Sequence, residues 1–222
     1  MSEVTSGIRA VLSFAGVYDA LQNALGAAHY RRKIASAYLP PNPLRKLRVL
    51  DVGCGTAQIL DYLPECTYVG VDLSQRYVAA AKRRYGDRAT FVCVEATRAS
   101  FEQWRGEFDC VLMLGLLHHL DDIDAVSLFR AVGIALAPHG RVVSVDPTVS
   151  HGTHAVGQFL VARDRGRNVR PAHGYEALAR QAFDRTIVHV RHDLLRVPYS
   201  HAILECSEPP AQDSSVGKRA HT

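Results

Sequence analysis

Residues 47–60, LRVLDVGCGTAQIL, constrain the fold of this chain more than any other stretch. Residues 47–52 form a short apolar run with several β-branched side chains, which is typical of a buried strand. Gly53 and Gly55 follow at once, and they allow a tight turn that a ligand can approach without a Cβ in the way. Apolar residues with helical spacing come next, so the stretch predicts a strand, a glycine turn and a helix whose first N–H groups face a ligand. Those apolar residues are Ile59, Leu60 and Leu63.

The details of this turn discriminate between the ligands that such units bind. A dinucleotide fingerprint requires Gly or Ala at the sixth position from Gly53, where this chain has Gln58. A phosphate-binding P-loop requires Lys followed by Ser or Thr at its end, and neither is present. Asp51, two residues before the first glycine, suits a cationic ligand better than a pyrophosphate.

The rest of the chain alternates between strand-like and helix-like patterns, which predicts an α/β fold with a mostly parallel sheet and helices on both faces. The last two strands are separated only by residues 193–199, which is too short for a helical crossover, so we expect them to pair antiparallel. After the first strand, the predicted strands are 67–74, 90–96, 108–117, 141–147, 185–192 and 200–207, and the predicted helices are 75–86, 100–105, 121–137 and 175–183.

The two ends of the chain differ from this core. Residues 8–39 carry apolar side chains at three- and four-residue spacing and precede three prolines, so we interpret residues 1–46 as an N-terminal helical cap. Residues 208–222 are polar and contain two prolines, which predicts a disordered tail. The main domain is therefore expected over residues 47–207.

Composition excludes several classes of protein. The net charge is only +4 and the basic residues occur in short groups, so nucleic-acid binding is not expected. The five cysteines form no C-x-x-C pair and are expected to be small core residues in a reducing compartment. The apolar segment at residues 8–30 is too polar for a membrane span or a secretory signal, which predicts a cytoplasmic protein. Nothing in the sequence indicates an oligomeric state.

Acidic side chains follow three successive predicted strands. Asp51 lies near the end of the first strand, Asp72 at the end of the second and Glu95 at the end of the third. Since the carboxyl ends of parallel strands meet at one edge of a sheet, we expect these acids to share a rim with the glycine turn. An acid in the position of Asp72 can accept hydrogen bonds from both hydroxyls of a ribose. The fourth and fifth strands add Gly115, His118, His119 and Asp146 to this rim.

The pattern Asp51-x-Gly53-x-Gly55-x-Ala57 resembles motif I of the class I S-adenosylmethionine (SAM)-dependent methyltransferases, with Ala57 in place of the usual third glycine. The resemblance covers about residues 47–207 and includes the pair His118-His119 followed by Leu. It implies a Rossmann-like, seven-stranded sheet with an antiparallel last strand, and SAM as the cofactor. The cofactor-binding residues that it implies are Asp51, Gly53, Gly55, Asp72, Leu73, Glu95, Ala96 and Gly115, with Glu95 where the family usually has Asp.

The resemblance also implies methyl transfer to a hydroxyl or amine of a small-molecule acceptor. A base for the proton of the acceptor is available in His118, with Asp146 as its partner and His119 as a second candidate. The segment VYDALQNALGA looks like the substrate cap of small-molecule members, and the ending VPYSHAILE looks like theirs as well. The candidate substrate contacts are Tyr18, Gln22, His151 and His154.

Other interpretations remain open from the sequence. Asp146, His151 and His154 could hold a metal, but their spacing does not define a ligand set, so no metal is predicted. The arginines at 163, 165, 167 and 170 fit either a clamp for an anionic acceptor or a solvated loop. The whole chain fits a non-catalytic SAM-binding or interaction module as the main alternative, and an NAD-type oxidoreductase as a less favoured one.

Overall fold

The computed structural model describes residues 26–42, 44–99, 101–149, 168–195 and 199–209 of the chain. The predicted substrate contacts, the first part of the predicted cap and nearly all of the predicted tail lie outside these ranges. Their roles therefore stay predictions. These residues are Tyr18, Gln22, His151 and His154.

Seven strands form one sheet in the order β3-β2-β1-β4-β5-β7-β6. The pairs from β3 to β5 are parallel, whereas β7 runs antiparallel to both β5 and β6. This confirms the Rossmann-like, mostly parallel sheet with an antiparallel last strand. The strands are β1 (Leu47–Val52), β2 (Cys66–Asp72), β3 (Thr90–Cys93), β4 (Phe108–Leu114), β5 (Leu136–Pro147), β6 (Arg185–Arg191) and β7 (His201–Ser207).

Helices cover both faces of the sheet, as the alternating pattern predicts. In the described ranges they are α1 (Ala27–Tyr38), α2 (Gln75–Tyr85), α3 (Asp122–Ala135) and α4 (Ala172–Ala179). None of these helices has the length and apolar character that a membrane crossing requires.

Alternation along the strands gives each face its own apolar core. Val49 of β1 faces the core beneath α1 and α2, and Leu50 faces the core beneath α3 and α4. Both side chains are fully buried. The helical residues in these cores include Ile34, Ala35, Val78 and Ala81 on the first face, and Leu128, Phe129, Val132, Tyr175 and Leu178 on the second.

The described part of the predicted cap, α1, packs directly on the sheet. Its residue Ile34 is 1% exposed and joins the core beneath it. Arg141 of β5 donates a hydrogen bond to the carbonyl of Tyr38, and Lys33 forms an ion pair with Asp193. The helix is thus held to the domain by both its apolar face and its last turn.

The helix expected after the glycine turn does not form as predicted. Only one 3-10 turn, Gln58–Asp61, follows the glycines. Pro64 comes three residues later and β2 begins at Cys66, so the chain has no room for further helical turns. The apolar side chains Ile59 and Leu60 still enter the core, because a single turn is enough to bury them.

The fifth strand begins earlier than expected. β5 starts at Leu136, directly after α3, instead of at residue 141 as predicted. His139 has a positive φ of 65°, and the register with β4 shifts between Phe108 and Cys110. Residues 138–140, which separate the predicted helix from the predicted strand, thus belong to the strand as an irregularity, because a bulge absorbs the extra residues without ending the pairing.

The glycine turn packs over β2 at a residue that has no side chain. Gly70 is paired with Asp51 in the register of β1 and β2. A Cβ added at Gly70 would lie 2.8 Å from Cys54 Sγ, 3.0 Å from Phe91 Cδ1 and 3.1 Å from Tyr68 Cε1. Contacts this short are not tolerated, so the absence of a side chain at Gly70 lets the turn sit where it does.

We expect Gly70→Ala to lower the free energy of unfolding by about 3 kcal/mol, because the added methyl group overpacks a rigid contact. Gly106→Ala is the matched control, since a Cβ there meets no atom within 4 Å. With its φ of 70°, that control carries only backbone strain of roughly 1 kcal/mol. Urea denaturation of both variants tests this, and equal losses would show that the turn does not depend on the close approach.

Candidate functional site

Asp51 is a buried acid at the carboxyl end of β1. Its side chain is 2% exposed, and the Tyr68 hydroxyl donates a hydrogen bond of 2.5 Å to its Oδ2. Its Oδ1 has no hydrogen-bond partner among the residues that the structure describes. Burial raises the pKa of Asp51 to about 7, the hydrogen bond from Tyr68 opposes this shift, and the charge of Asp72 adds to it. Burying a carboxylate oxygen without a hydrogen-bond donor costs free energy, unless a ligand supplies the missing partner.

The glycine turn next to Asp51 is closed on itself. Gly53, Gly55 and Ala57 have positive φ angles of 77°, 55° and 57°, which fold the chain back toward β2. Four amides of the turn consequently have acceptors within the protein, so they form no cradle for a phosphate. Gly53 N and Cys54 N donate to Val71 O at 2.8 and 3.0 Å, Gly55 N donates to Asp72 Oδ2 at 2.8 Å, and Ala57 N donates to Cys54 O at 2.8 Å.

Asp72 is fixed at the rim by backbone donors. Besides the bond from Gly55, its Oδ1 accepts a hydrogen bond of 2.7 Å from Ser74 N. The Ser74 side chain in turn caps α2 by accepting from Tyr77 N at 3.4 Å. Each Asp72 oxygen keeps a second lone pair, so the carboxylate can still accept hydrogen bonds from a ligand. The residue that caps α2 is therefore Ser74 and not Asp72.

Three residues near Asp72 are relevant to a ligand at this edge of the sheet: Leu73, Glu95 and Ala96. Leu73 is 69% exposed, so its apolar side chain is accessible next to the carboxylate of Asp72. Glu95 and Ala96 follow the end of β3 and are half-buried. The predicted third strand is shorter than expected, and Glu95 thus lies in the loop after β3.

His118 and Asp146 form a buried pair on the other side of β1, after β4 and at the end of β5. His118 Nδ1 lies 2.8 Å from Asp146 Oδ1, and the His118 amide donates to the same oxygen at 3.1 Å. His118 is 5% exposed and Asp146 is fully buried. Asp146 Oδ2 has no hydrogen-bond partner within the described ranges. Because an ionised carboxylate only accepts, the contact places the proton on His118 Nδ1 and the lone pair on Nε2.

Two neighbours complete the surroundings of His118. The ring of His119 lies 4.0 Å from that of His118, but His119 is exposed. Gly115 has a φ of 73°, and a Cβ there would come within 3.7 Å of His118 Cε1. The predicted pairing of His118 with Asp146 is thus present in the geometry, whereas His119 faces outward and does not share the carboxylate.

Tyr30 is a residue at this site that the sequence did not single out. It lies in α1, and its ring packs 5.7 Å from that of His201. Burial raises the pKa of the Tyr30 hydroxyl, and the negative charges of Asp146 and Asp51 raise it further. Tyr30 is therefore close enough to both Asp51 and Asp146 for their charges to act on its hydroxyl. An aromatic residue in the last part of the predicted cap was the only available signal.

Arg170 does not match either interpretation offered by the sequence. Its side chain is 11% exposed and donates hydrogen bonds to backbone carbonyls of the loop after β4 and to Asp122. It is thus neither a solvated side chain nor available for an anionic acceptor. No group of three or more potential metal ligands occurs in the part of the chain that the structure describes.

The sheet order and the rim of acids define the Rossmann-like fold of the class I methyltransferases. Residues 49–140 match the family model described as "Methyltransferase domain". A ubiquinone biosynthesis O-methyltransferase of Brucella ovis is 29% identical over 145 residues, which is 63% of this chain and 57% of that protein. The chain therefore spans little more than half the length of the curated relatives that it matches.

Solved structures agree at the level of the fold. An N-methyltransferase of Haemonchus contortus, solved with phosphomonomethylethanolamine and S-adenosylhomocysteine, has a TM-score of 0.71 and 17% identity, covering 95% of this chain and 61% of that one. The [4+2]-cyclase SpnF has a TM-score of 0.62 and 18% identity, covering 82% of each chain. The resemblance to class I methyltransferases is confirmed: residues 49–140 match the methyltransferase-domain model, and the sheet has the corresponding fold.

The raised pKa of Asp51 predicts a specific dependence of stability on pH. Folding raises this pKa from 3.8 to about 7, so the folded protein binds the proton more tightly than the unfolded chain. The resulting stabilisation is complete below pH 4 and is lost as the pH rises toward 7. We expect Asp51→Asn to gain stability relative to wild type by about 1 kcal/mol or more between pH 5 and pH 8. Urea denaturation at both pH values measures this, and a constant difference would mean that Asp51 is ionised throughout.

Proposed function

We propose that this chain is a SAM-dependent methyltransferase that transfers a methyl group to a hydroxyl or amine of a small-molecule acceptor. The observation that carries the proposal is the buried Asp51 Oδ1, which lacks a partner among the described residues beside a glycine turn that is closed to anions. A cationic cofactor fits this environment, because its positive charge would lie beside the carboxylate oxygen that lacks a partner. That charge would also favour the ionised form of Asp51.

The residues at the rim fit the other parts of SAM. Asp72 is held in place with free lone pairs for the ribose hydroxyls, and exposed Leu73 offers apolar surface to a purine. Glu95 and Ala96 lie next to this surface, where an acid suits the adenine amino group. Gly53, Gly55 and Gly115 all have positive φ, and at Gly55 a Cβ would meet no atom within 4 Å, so the space beside the turn is open to a ligand there. An NAD-type oxidoreductase is disfavoured, because a pyrophosphate needs backbone donors that this turn uses internally.

SAM supplies a methyl group that is already activated by the sulfonium, so the protein mainly has to position the acceptor and exclude water. His118 would then act as the base that takes the proton from the acceptor. With Nδ1 held by Asp146, its Nε2 carries the lone pair that accepts this proton. The charge of Asp146 would stabilise the imidazolium that results.

A non-catalytic role on the same fold is the second candidate. The reason to keep it is that the fold alone does not determine the activity: the similar structure of SpnF is named for a [4+2]-cyclase, not for methyl transfer. A binding module does not require a buried histidine–carboxylate pair beside the cofactor site, and this pair favours the enzyme.

We expect SAM and S-adenosylhomocysteine to raise the melting temperature, whereas NAD leaves it unchanged. A ligand at one hundred times its Kd stabilises the folded state by about 2.7 kcal/mol. Asp72→Asn should weaken SAM binding by roughly tenfold or more, since it removes a charged acceptor. Glu65→Gln is the control, because Glu65 is 79% exposed and pairs with Lys46 on the surface. Stabilisation by NAD and none by SAM would refute the cofactor assignment.

We expect His118→Asn to lower kcat by about tenfold or more while the Kd for SAM changes less than threefold, because general-base help is typically worth 10²–10⁴-fold. Single-turnover kinetics and calorimetry measure the two quantities, once a screen of hydroxylated and aminated metabolites has identified an acceptor. His173→Asn on the exposed side of α4 serves as control. Unchanged kcat in His118→Asn would mean that positioning alone carries the reaction.

A further inference from the structure

Arg170 makes a dense set of contacts to one short loop. Its Nη1 donates to Leu117 O at 3.0 Å, and its Nη2 donates to Leu120 O at 2.8 Å. Its Nε and Nη2 also contact Asp122 Oδ1, at 2.9 and 2.7 Å. The loop to which it is hydrogen-bonded, residues 117–122, contains His118 and leads into α3.

These contacts fix the backbone on both sides of His118. Within the 3-10 turn Leu117–His119, Leu117 O accepts a hydrogen bond of 3.1 Å from Leu120 N, whereas the carbonyls of His118 and Leu120 are bonded by residues 168–170. Arg170 adds a second donor to Leu117 O and donates to Leu120 O, and the amide of Asn168 donates to His118 O at 3.0 Å. Residues 168–170 therefore determine where the peptide units around His118 lie.

The same segment is tied to the end of β5, where Asp146 lies. Thr148 forms a β-bridge with Arg170, and its hydroxyl donates to Arg170 O at 2.9 Å. Tyr175 Oη donates to Pro147 O at 3.0 Å and accepts from Arg170 N at 3.3 Å. Both members of the His118–Asp146 pair are thus connected to one arginine through short hydrogen-bonded paths.

We propose that Arg170 is a positioning residue that holds His118 Nδ1 against Asp146 and so keeps His118 Nε2 directed at the acceptor. The proposal rests on the proposed function, in which His118 is the base. The planar guanidinium suits this role, because its donors reach two carbonyls and a carboxylate in fixed directions, whereas the single ammonium of lysine does not.

The carbonyl contacts, rather than the ion pair, carry the effect. The Asp122 side chain is 73% exposed, so its attraction to Arg170 is screened by water. Asp122→Asn removes the charge and leaves the bonds to Leu117 O and Leu120 O in place. It is therefore the matched control for Arg170→Gln, which removes those bonds.

The first experiment measures the tautomer of His118 by long-range ¹H–¹⁵N correlation of the imidazoles, and it requires no acceptor. In the wild type and in Asp122→Asn, we expect His118 to stay in the Nδ1–H form. In Arg170→Gln, we expect its signals to move toward the averaged tautomers of an exposed histidine. Arg170→Lys provides a second variant, with an intermediate shift expected. A folded Arg170→Gln or Arg170→Lys variant with the wild-type His118 signal would overturn the proposal.

The second experiment separates this inference from the proposed function. We expect Arg170→Gln to lower kcat by about tenfold or more, since small displacements of a catalytic group have large effects, while the Kd for SAM changes less than threefold. If the wild type binds SAM and transfers methyl groups, and His118→Asn slows transfer but Arg170→Gln does not, the inference fails alone. If wild type neither binds SAM nor transfers a methyl group, the proposed function fails, whatever the tautomer of His118.

Discussion

The hydrogen bond from the Gly55 amide to Asp72 Oδ2 joins the turn after β1 to the end of β2, and the cofactor side of the site depends on it. The bond closes the glycine turn, and the missing side chain of Gly70 allows the turn to pack over β2. Closing the turn uses up the amides that an anion would need and leaves Asp51 buried beside it. A negative, donor-poor site of this kind selects for a cation.

The side of the site that we propose for the acceptor lies across β1, at the ends of β4 and β5. These strands are neighbours in the sheet, so the loop with His118 comes within reach of Asp146. The order in which the chain adds strands reverses between β1 and β4, since β2 and β3 lie on one side of β1 and β4 and β5 on the other, and this is where ligands bind in open α/β folds. Tyr30 of α1 is near enough to Asp51 and Asp146 for both charges to act on its hydroxyl, and its ring packs against His201.

The sequence predicted the sheet well, because its strands are continuous apolar runs that alternate with helical patterns. β1 and the start of β4 at Phe108 agree with the prediction to the residue. The prediction of a helix after the glycine turn was wrong, because periodicity alone does not show that Pro64 leaves no room for it. Strand boundaries that depend on pairing with a neighbouring strand, such as the early start of β5, could not be predicted from the sequence pattern.

The site was predictable where it depends on strand ends and motifs, and not where it depends on tertiary contacts. The closeness of His118 and Asp146 followed from the order of β4 and β5. The hydrogen bonds from Arg170 to the loop after β4 could not be predicted, because their acceptors are backbone carbonyls about fifty positions away in the chain. The raised pKa of Asp51 depends on burial and on Tyr68, which no local pattern encodes.

The most direct test of the account is the number of protons released when SAM binds. Calorimetry at pH 6 in two buffers of different ionisation enthalpy gives this number. We expect wild type to release a substantial fraction of a proton, because the cation converts Asp51 to its ionised form from a pKa of about 7. Asp51→Asn should release none and bind SAM more weakly. Tight binding of SAM with no proton release in wild type, or equal release in both proteins, would contradict the claim that buried Asp51 recognises the charge of the cofactor.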